Sequence, residues 1–280
     1  MLRDPDTLSK PLPKIIIATI PVRAEPTTYP PIACLSIINA LRKAGLSDSY
    51  FYNIDLLRPS IGEIVNYIEK EKPDILGISA VVSTSYRYVK QLSLEIKKTF
   101  PSLTLILGGV LGASAEILLK KTGIDFVCTG EGERTMVEFV RCWQEGKSKS
   151  EFAQIPGLAF LGDDGDLVVT PYPKTLSPSE LYDCDWSILD SLGQMEYYCA
   201  HNNSNEKGFD VAFANDSRAH ESRRKDKALL TLVTSKGCVA RCTFCHRWDP
   251  GIRYIPIPVL MGRVDLFIEK YNMGFVDFQD

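Results

Sequence analysis

The sequence predicts an α/β protein in which a doubly wound parallel sheet is followed by a linker and then by the opening of a second βαβ unit. Three observations predict it. Five short apolar runs alternate with five helical stripes over residues 1–150, several of those runs end in loops of glycine and serine, and a further apolar run at 229–234 leads straight into three closely spaced cysteines.

Ile15-Ile16-Ile17-Ala18-Thr19-Ile20, bounded by Pro21, is the largely β-branched run of a strand buried on both faces. Pro30-Pro31 presets the first turn of a helix carrying Ile32, Leu35, Ile38 and Leu41 at helical spacing, and Gly45 ends it. A strand at 50–54 follows, then a second stripe of Ile61, Ile64, Val65 and Ile68 up to Pro73, and a third strand at 74–79. A helix with Tyr88, Leu92 and Ile96, a strand at 103–107, a short helix at 116–121, a strand at 125–128 and a helix from about 131 to 144 complete the alternation. Residues 157–161 and 167–170 flank Gly162-Asp163-Asp164-Gly165, a hairpin expected to cover an edge of the sheet. Pro171, Pro173 and Pro178 suit an extended linker, and 202–227 is polar and charged, its Arg223-Arg224-Lys225 reading as a solvated loop. A buried strand at 229–234, the cysteine loop, a helix with Leu260, Val264, Phe267, Ile268 and Tyr271 on one face, and a strand from Gly274 to Phe278 close the chain. The expected division is 1–150, 151–228 and 229–280.

The 280 residues, 45% hydrophobic and 24% charged, describe a globular chain of about two domains. No apolar run reaches the length of a membrane span and residues 1–14 have no signal-peptide core, so a cytoplasmic protein without a membrane partner is expected. A net charge of -3 supplies no broad cationic field, which argues against nucleic acid. Of eight cysteines, Cys34, Cys128, Cys142, Cys184 and Cys199 are scattered singly and read as reduced thiols.

Cys238, Cys242 and Cys245 form C-x3-C-x2-C, three thiols that one loop can converge on a single metal centre. A closed structural zinc site wants four ligands, and a fourth would have to be recruited from Cys199 or His246. A [4Fe-4S] cluster on three cysteines instead leaves one iron open. With Phe244 just before the third cysteine, the motif resembles the signature of the radical S-adenosylmethionine enzymes. That resemblance implies Cys238, Cys242 and Cys245 as cluster ligands, Phe244 against the nucleotide of S-adenosylmethionine, cleavage to a 5′-deoxyadenosyl radical, and an electron donor such as flavodoxin or ferredoxin.

Ser79, Gly108-Gly109 and Gly130-Glu131-Gly132-Glu133 close the third, fourth and fifth strands, where open parallel sheets bind ligands. Together they resemble the cobalamin-binding domain, a Rossmann-like fold, in the form fused to radical SAM barrels of the TIM type. The resemblance implies Ser79, Gly108, Gly109, Gly130 and Glu131 as cofactor contacts. Cobalamin domains that ligate cobalt through histidine carry it after the first strand; here that loop, 21–30, has none, and His201, His220 and His246 all lie beyond the sheet. Cobalamin is therefore expected to bind without histidine ligation.

A barrel of this kind takes about 200 residues. Only its first unit and one more strand are present, so the chain is expected to be the N-terminal part of a longer enzyme, inactive alone. Gln279 and Asp280 fall where the family places a cosubstrate contact. The implied activity is methyl transfer to, or rearrangement of, a small-molecule or peptide substrate that no residue here identifies, and no catalytic residue can be named. A non-catalytic cobalamin-binding or Rossmann-like module, and a radical SAM enzyme without cobalamin, are the competing readings.

Overall fold

The structure is a computed structural model that describes residues 11–46, 48–201, 217–224, 227–243, 245–246 and 251–279. The chain divides into two compact units, one of Met1–Pro26 with Ser36–Thr175 and the other of Thr27–Leu35 with Leu176–Asp280. No described helix is long and apolar enough to cross a membrane.

The first unit is built on β1 (Ile15–Thr19), the part of α1 (Ile32–Lys43) from Ser36 onward, β2 (Ser49–Asn53), α2 (Ile54–Leu57), α3 (Ile61–Glu71), β3 (Ile75–Ser79), α4 (Tyr86–Thr99), β4 (Thr104–Gly108), α5 (Ala115–Lys121), β5 (Phe126–Cys128) and α6 (Gly132–Gln144). After α7 (Lys149–Phe152), β6 (Leu158–Leu161) and β7 (Leu167–Val169) add to the same sheet. The order is β2-β1-β3-β4-β5-β6-β7, with β1 to β5 parallel and the β6/β7 hairpin antiparallel on β5. This is the doubly wound fold the alternation predicts. The order 2-1-3-4-5 puts a topological switch point between β1 and β3, and a crevice forms outside the carboxyl ends of strands at such a point.

Ile15 to Ala18 are buried because β1 is central and covered on both faces. One face carries Leu76, Ile78, Leu105, Leu107 and Val127 against Ile64, Ile68, Leu92, Ile96 and Leu118 of the helices. A buried apolar face of this size supplies the main favourable contribution to folding, at about 25 cal/mol per Å² removed from water. Near β5, Phe126 packs on Phe139, Phe152 and Phe160 at centroid distances of 4.9, 5.0 and 5.5 Å, tying α6, α7 and the hairpin to the sheet. Helix starts follow local rules. Ser60 and Glu63 form a reciprocal capping box on α3, and the Pro31 carbonyl accepts the Leu35 amide at the start of α1.

In the second unit α8 (Ser187–Ser191), α9 (Met195–Tyr198) and β8 (Ala200–His201) precede β9 (Ala228–Val233), β10 (Ser235–Cys238), β11 (Gly251–Tyr254), α10 (Ile257–Tyr271) and β12 (Met273–Gln279). β12 runs parallel to β9, joined through α10, and β8 is antiparallel on the other side of β9. The predicted strand, helix and strand are therefore present, with three differences. β9 alternates, burying Ala228, Leu230 and Leu232 and half-exposing Leu229, Thr231 and Val233. On α10 Phe267 is the fully buried anchor, edge-on to Trp186, whereas Ile268 is 48% exposed. The segment expected as an extended linker instead contains helical turns after its last proline, Pro178, and Trp186, Leu189 and Met195 beside and within them are buried, because these apolar side chains have a core to enter. The Lys225 end of the basic triplet lies outside the described residues.

Candidate functional site

Two loci, one in each unit, gather the residues to which the sequence points. The first is the carboxyl edge of the parallel sheet. Register aligns Thr19 with Asn53 on one side and with Ser79 on the other, and Ser79 with Gly108, so four strand ends finish level. The loops beyond them are stitched together. The Ala80 amide donates to the Gly108 carbonyl at 2.9 Å, and the Leu111 amide donates to the Ala80 carbonyl at 3.1 Å.

Gly109 makes this close approach possible. Its φ is 90°, and a Cβ there would stand 2.5 Å from the Ala80 carbonyl oxygen and 2.8 Å from its carbon. Gly130, at φ 95°, turns the chain out of β5 with a would-be Cβ 3.0 Å from Pro173. Glu131 then occupies the N-cap position of α6 in extended conformation and is 5% exposed. Glu133, also buried, accepts a hydrogen bond from the Ser36 hydroxyl at 2.8 Å.

Two hydroxyls at this edge have no hydrogen-bond partner among the described residues. Ser79 is half-buried and its side chain makes no bond. The Thr129 hydroxyl is buried and unsatisfied, although the Thr129 amide donates to the Gly157 carbonyl at 2.7 Å. A buried hydroxyl without a partner costs about 1–3 kcal/mol, so a ligand that supplied one would recover part of that. Sequence reasoning missed Thr129. Its signal was a polar residue set between the apolar end of β5 and Gly130.

The loop after β1 is held without any imidazole. Asp55 is 2% exposed, accepts from the Val22 amide at 3.4 Å, and is ion-paired to Arg58 at 2.8 Å. Arg58 also donates to the Arg23 carbonyl at 2.8 Å, and the Thr19 hydroxyl donates to Asn53 at 2.9 Å. The Ser85 hydroxyl reaches the Pro21 carbonyl at 3.3 Å. A cavity of about 540 Å³ opens at the opposite end of the strands. Lys97 there is paired with Asp125 at 2.7 Å and Lys149 with Asp163 at 3.4 Å. Its cations are already neutralised, and it lies away from every residue considered above.

The second locus is the cysteine loop. It is framed by an antiparallel ribbon that sequence reasoning missed, in which Ser235, Lys236, Gly237 and Cys238 pair with Tyr254, Arg253, Ile252 and Gly251. Cys238 thus ends a strand and does not begin a free loop. Gly237 has φ 104°, and the Gly251 carbonyl on the facing strand leaves no room for a Cβ. Cys238, Cys242 and Cys245 are all exposed. The Ala240 amide donates to Cys238 Sγ at 3.3 Å, and the Cys245 amide to the Cys242 carbonyl at 3.3 Å. No group of three or more His, Cys, Asp or Glu side chains is arranged to hold a metal among the described residues, so the thiols share a loop without being converged. Phe244 and Asp280 lie outside the described residues. Gln279 donates to Asp277 at 2.7 Å.

The donor sets nonetheless fit different groups. Three exposed thiols in eight residues suit a soft-metal cluster that must be reached from solvent. Cys199 is buried, and its thiol is pushed up to about 12, first by desolvation and then by Asp190 and Glu196. It is therefore a poor fourth ligand for zinc. Iodoacetamide at pH 8 is expected to alkylate Cys238, Cys242 and Cys245 in metal-free protein within minutes while sparing Cys34, Cys128 and Cys199. Peptide mapping checks this, and labelling of Cys199 at the rate of Cys242 would contradict its burial.

Residues 19–140 match the B12 binding domain family. The chain is 23% identical over 256 residues to an anaerobic magnesium-protoporphyrin IX monomethyl ester cyclase of Rubrivivax gelatinosus, covering 90% of this chain and 41% of the relative. It is 24% identical over 233 residues to a cytidylyl-2-hydroxyethylphosphonate methyltransferase of Streptomyces wedmorensis, covering 78% of this chain and 41% of that one. The chain thus spans about two fifths of the length of these curated relatives. Its fold is shared with the cobalamin-dependent S-adenosylmethionine radical enzyme OxsB, solved with aqua-cobalamin and S-adenosylmethionine bound: TM-score 0.70, 16% identity, 96% of this chain and 34% of that one.

Proposed function

We propose that this chain, which carries a B12-binding domain over residues 19–140 and resembles the cobalamin-dependent radical SAM enzymes, forms the cobalamin-holding and cluster-holding portion of such an enzyme. One observation carries the reading: a B12-type sheet edge and an exposed Cys238-x3-Cys242-x2-Cys245 loop occur in the same chain. When bound, a three-cysteine [4Fe-4S] cluster with S-adenosylmethionine supplies a 5′-deoxyadenosyl radical, and cobalamin supplies a methyl carrier.

The chain's own residues have separable tasks. Cys238, Cys242 and Cys245 would hold iron as thiolates, and the Ala240 amide donates to Cys238 Sγ, fixing the direction in which that sulfur presents itself. Gly108 and Gly109 keep the wall of the slot free of side chains, while Ser79 and Thr129 offer hydroxyls to polar groups of a tail lodged there. Gly130 and Glu131 shape the last loop. The Asp55–Arg58 pair holds the start of the loop after β1 against the sheet, and residues 21–30 contain no histidine that could be offered to a bound cobalamin. Phe244 would lie against the nucleotide of S-adenosylmethionine. Electrons would come from a flavodoxin or ferredoxin, and the substrate would be a small molecule or peptide. Methyl transfer is the favoured outcome because a methyltransferase is among the relatives, and a cyclase among them keeps ring formation in the same class.

Added hydroxocobalamin tests the first task. Co-elution with the full chain in about one-to-one ratio is expected, with a visible spectrum lacking histidine ligation. No co-elution would reduce the sheet to a Rossmann-like module, and a histidine-ligated spectrum would contradict the account of the loop after β1.

A further inference from the structure

The segment 176–182, which holds a single 3-10 turn at Pro178–Glu180, contacts β10, β11 and α10 around the cysteine loop. Arg253 of β11 donates to the Leu176 carbonyl at 2.8 Å, and Arg263 of α10 donates to the Leu181 carbonyl at 2.7 Å. Lys236 of β10 stands 5.2 Å from the centre of the Tyr182 ring. Leu176, Leu181 and Ile255 form a small buried cluster with Tyr182, Val259 and Leu260 against it. Tyr182 itself has φ 49°, a left-handed conformation a tyrosine keeps only where its surroundings over-determine it.

We infer that segment 176–182 is a strap that sets both ends of the cysteine loop, with Arg253 and Arg263 as positioning residues and Tyr182 as the platform for Lys236. Its functional meaning rests on the proposed iron–sulfur role of the three thiols. Its geometry does not.

The charges explain why a strap is needed. Lys236 and Arg253 are register partners across β10 and β11, so two cations face each other one register step from the Gly237 position. The strap draws them apart, one onto an aromatic face and the other onto a carbonyl oxygen. The loop is otherwise lightly held, its residues from Val239 to Thr243 being exposed. Three ligands can present one consistent geometry to a cluster only if both ends of their loop are fixed by neighbours that do not themselves bind metal. Arginine suits this better than lysine, because its planar fork holds a direction as well as a charge.

The test uses the full chain, metal-free and after anaerobic reconstitution with iron and sulfide. In the Arg253→Met, Arg263→Met double variant, amide exchange in metal-free protein is expected to accelerate by about tenfold or more over 235–238 and 251–255. Exchange in β1 to β5 should stay at wild-type rates, and iron retained through desalting should fall by about half or more. Lysine at both positions should restore part of each. Wild-type exchange across the ribbon in the double variant would overturn the strap. Faster exchange in the variant alongside no iron uptake by wild type would keep the strap and overturn the cluster. Should the double variant fail to fold, Tyr182→Leu removes the ring while leaving the backbone acceptors, and unchanged exchange at 235–238 in that variant would overturn the inference.

Discussion

Anaerobically reconstituted Cys242→Ala is expected to retain less than about one iron per chain where the wild type retains about four, because two thiolates cannot hold a cubane cluster. The side chain is exposed, so the substitution removes a ligand without opening a cavity, and stability should change by no more than about 0.5 kcal/mol. Iron loss can then be assigned to ligation and not to unfolding. Cys199→Ala is the matched control. Cys199 is buried and its thiol is pushed up to about 12, so its removal should leave iron uptake unchanged. Stoichiometric zinc that depends on Cys199, with no iron uptake, would replace the cluster with a closed zinc site. Electron paramagnetic resonance of the reduced wild type, with and without S-adenosylmethionine, supplies a second readout: the open iron predicts a changed signal when the cosubstrate is added.

Gly109→Ala should cost the first unit about 3–5 kcal/mol, a large share of the 5–15 kcal/mol that holds a typical domain together. Two effects add. The residue sits at φ 90° and ψ −179°, a region open in practice only to glycine. The new Cβ would also meet a carbonyl oxygen 2.5 Å away that belongs to backbone and cannot rotate aside. Gly165→Ala separates them. Gly165 has a similar φ of 84° but nothing within 4 Å of a Cβ, so only the conformational cost of about 1–2 kcal/mol applies. Urea unfolding followed by circular dichroism compares the two, and equal midpoints would refute the close approach of the third and fourth loops. Hydroxocobalamin uptake should fall in Gly109→Ala and persist in Gly165→Ala.

The two loci differ in how far they could be read before folding. Cys238, Cys242 and Cys245 lie within eight residues, so their proximity is a property of the chain itself. Ser79, Gly108 and Gly130 could be placed at one edge because each ends an apolar run, and parallel strands must finish at the same side of their sheet. Thr129 was not legible. Whether its hydroxyl is satisfied depends on which backbone groups reach it, and the neighbouring loop brings Gly157 to its amide and nothing to its side chain. The β10/β11 ribbon was hidden because Gly237 and Gly251 carry no pattern of a strand, yet the missing side chain of Gly237 is what lets the two backbones close, and Gly251 needs only its left-handed φ of 88°.

Local pattern by itself determined the doubly wound sheet, the order of its elements, the position of the three thiols and the absence of histidine from the first loop, because period, turn residues and spacing act over a few positions. Tertiary structure alone decided that Cys199 is sealed away, that Asp55 is buried beside Arg58, and that Arg253 and Arg263 bind carbonyls 77 and 82 residues back in the chain. Burial and hydrogen-bond satisfaction are set by neighbours in space. No periodicity in a sequence records which distant carbonyl will be left in need of a donor.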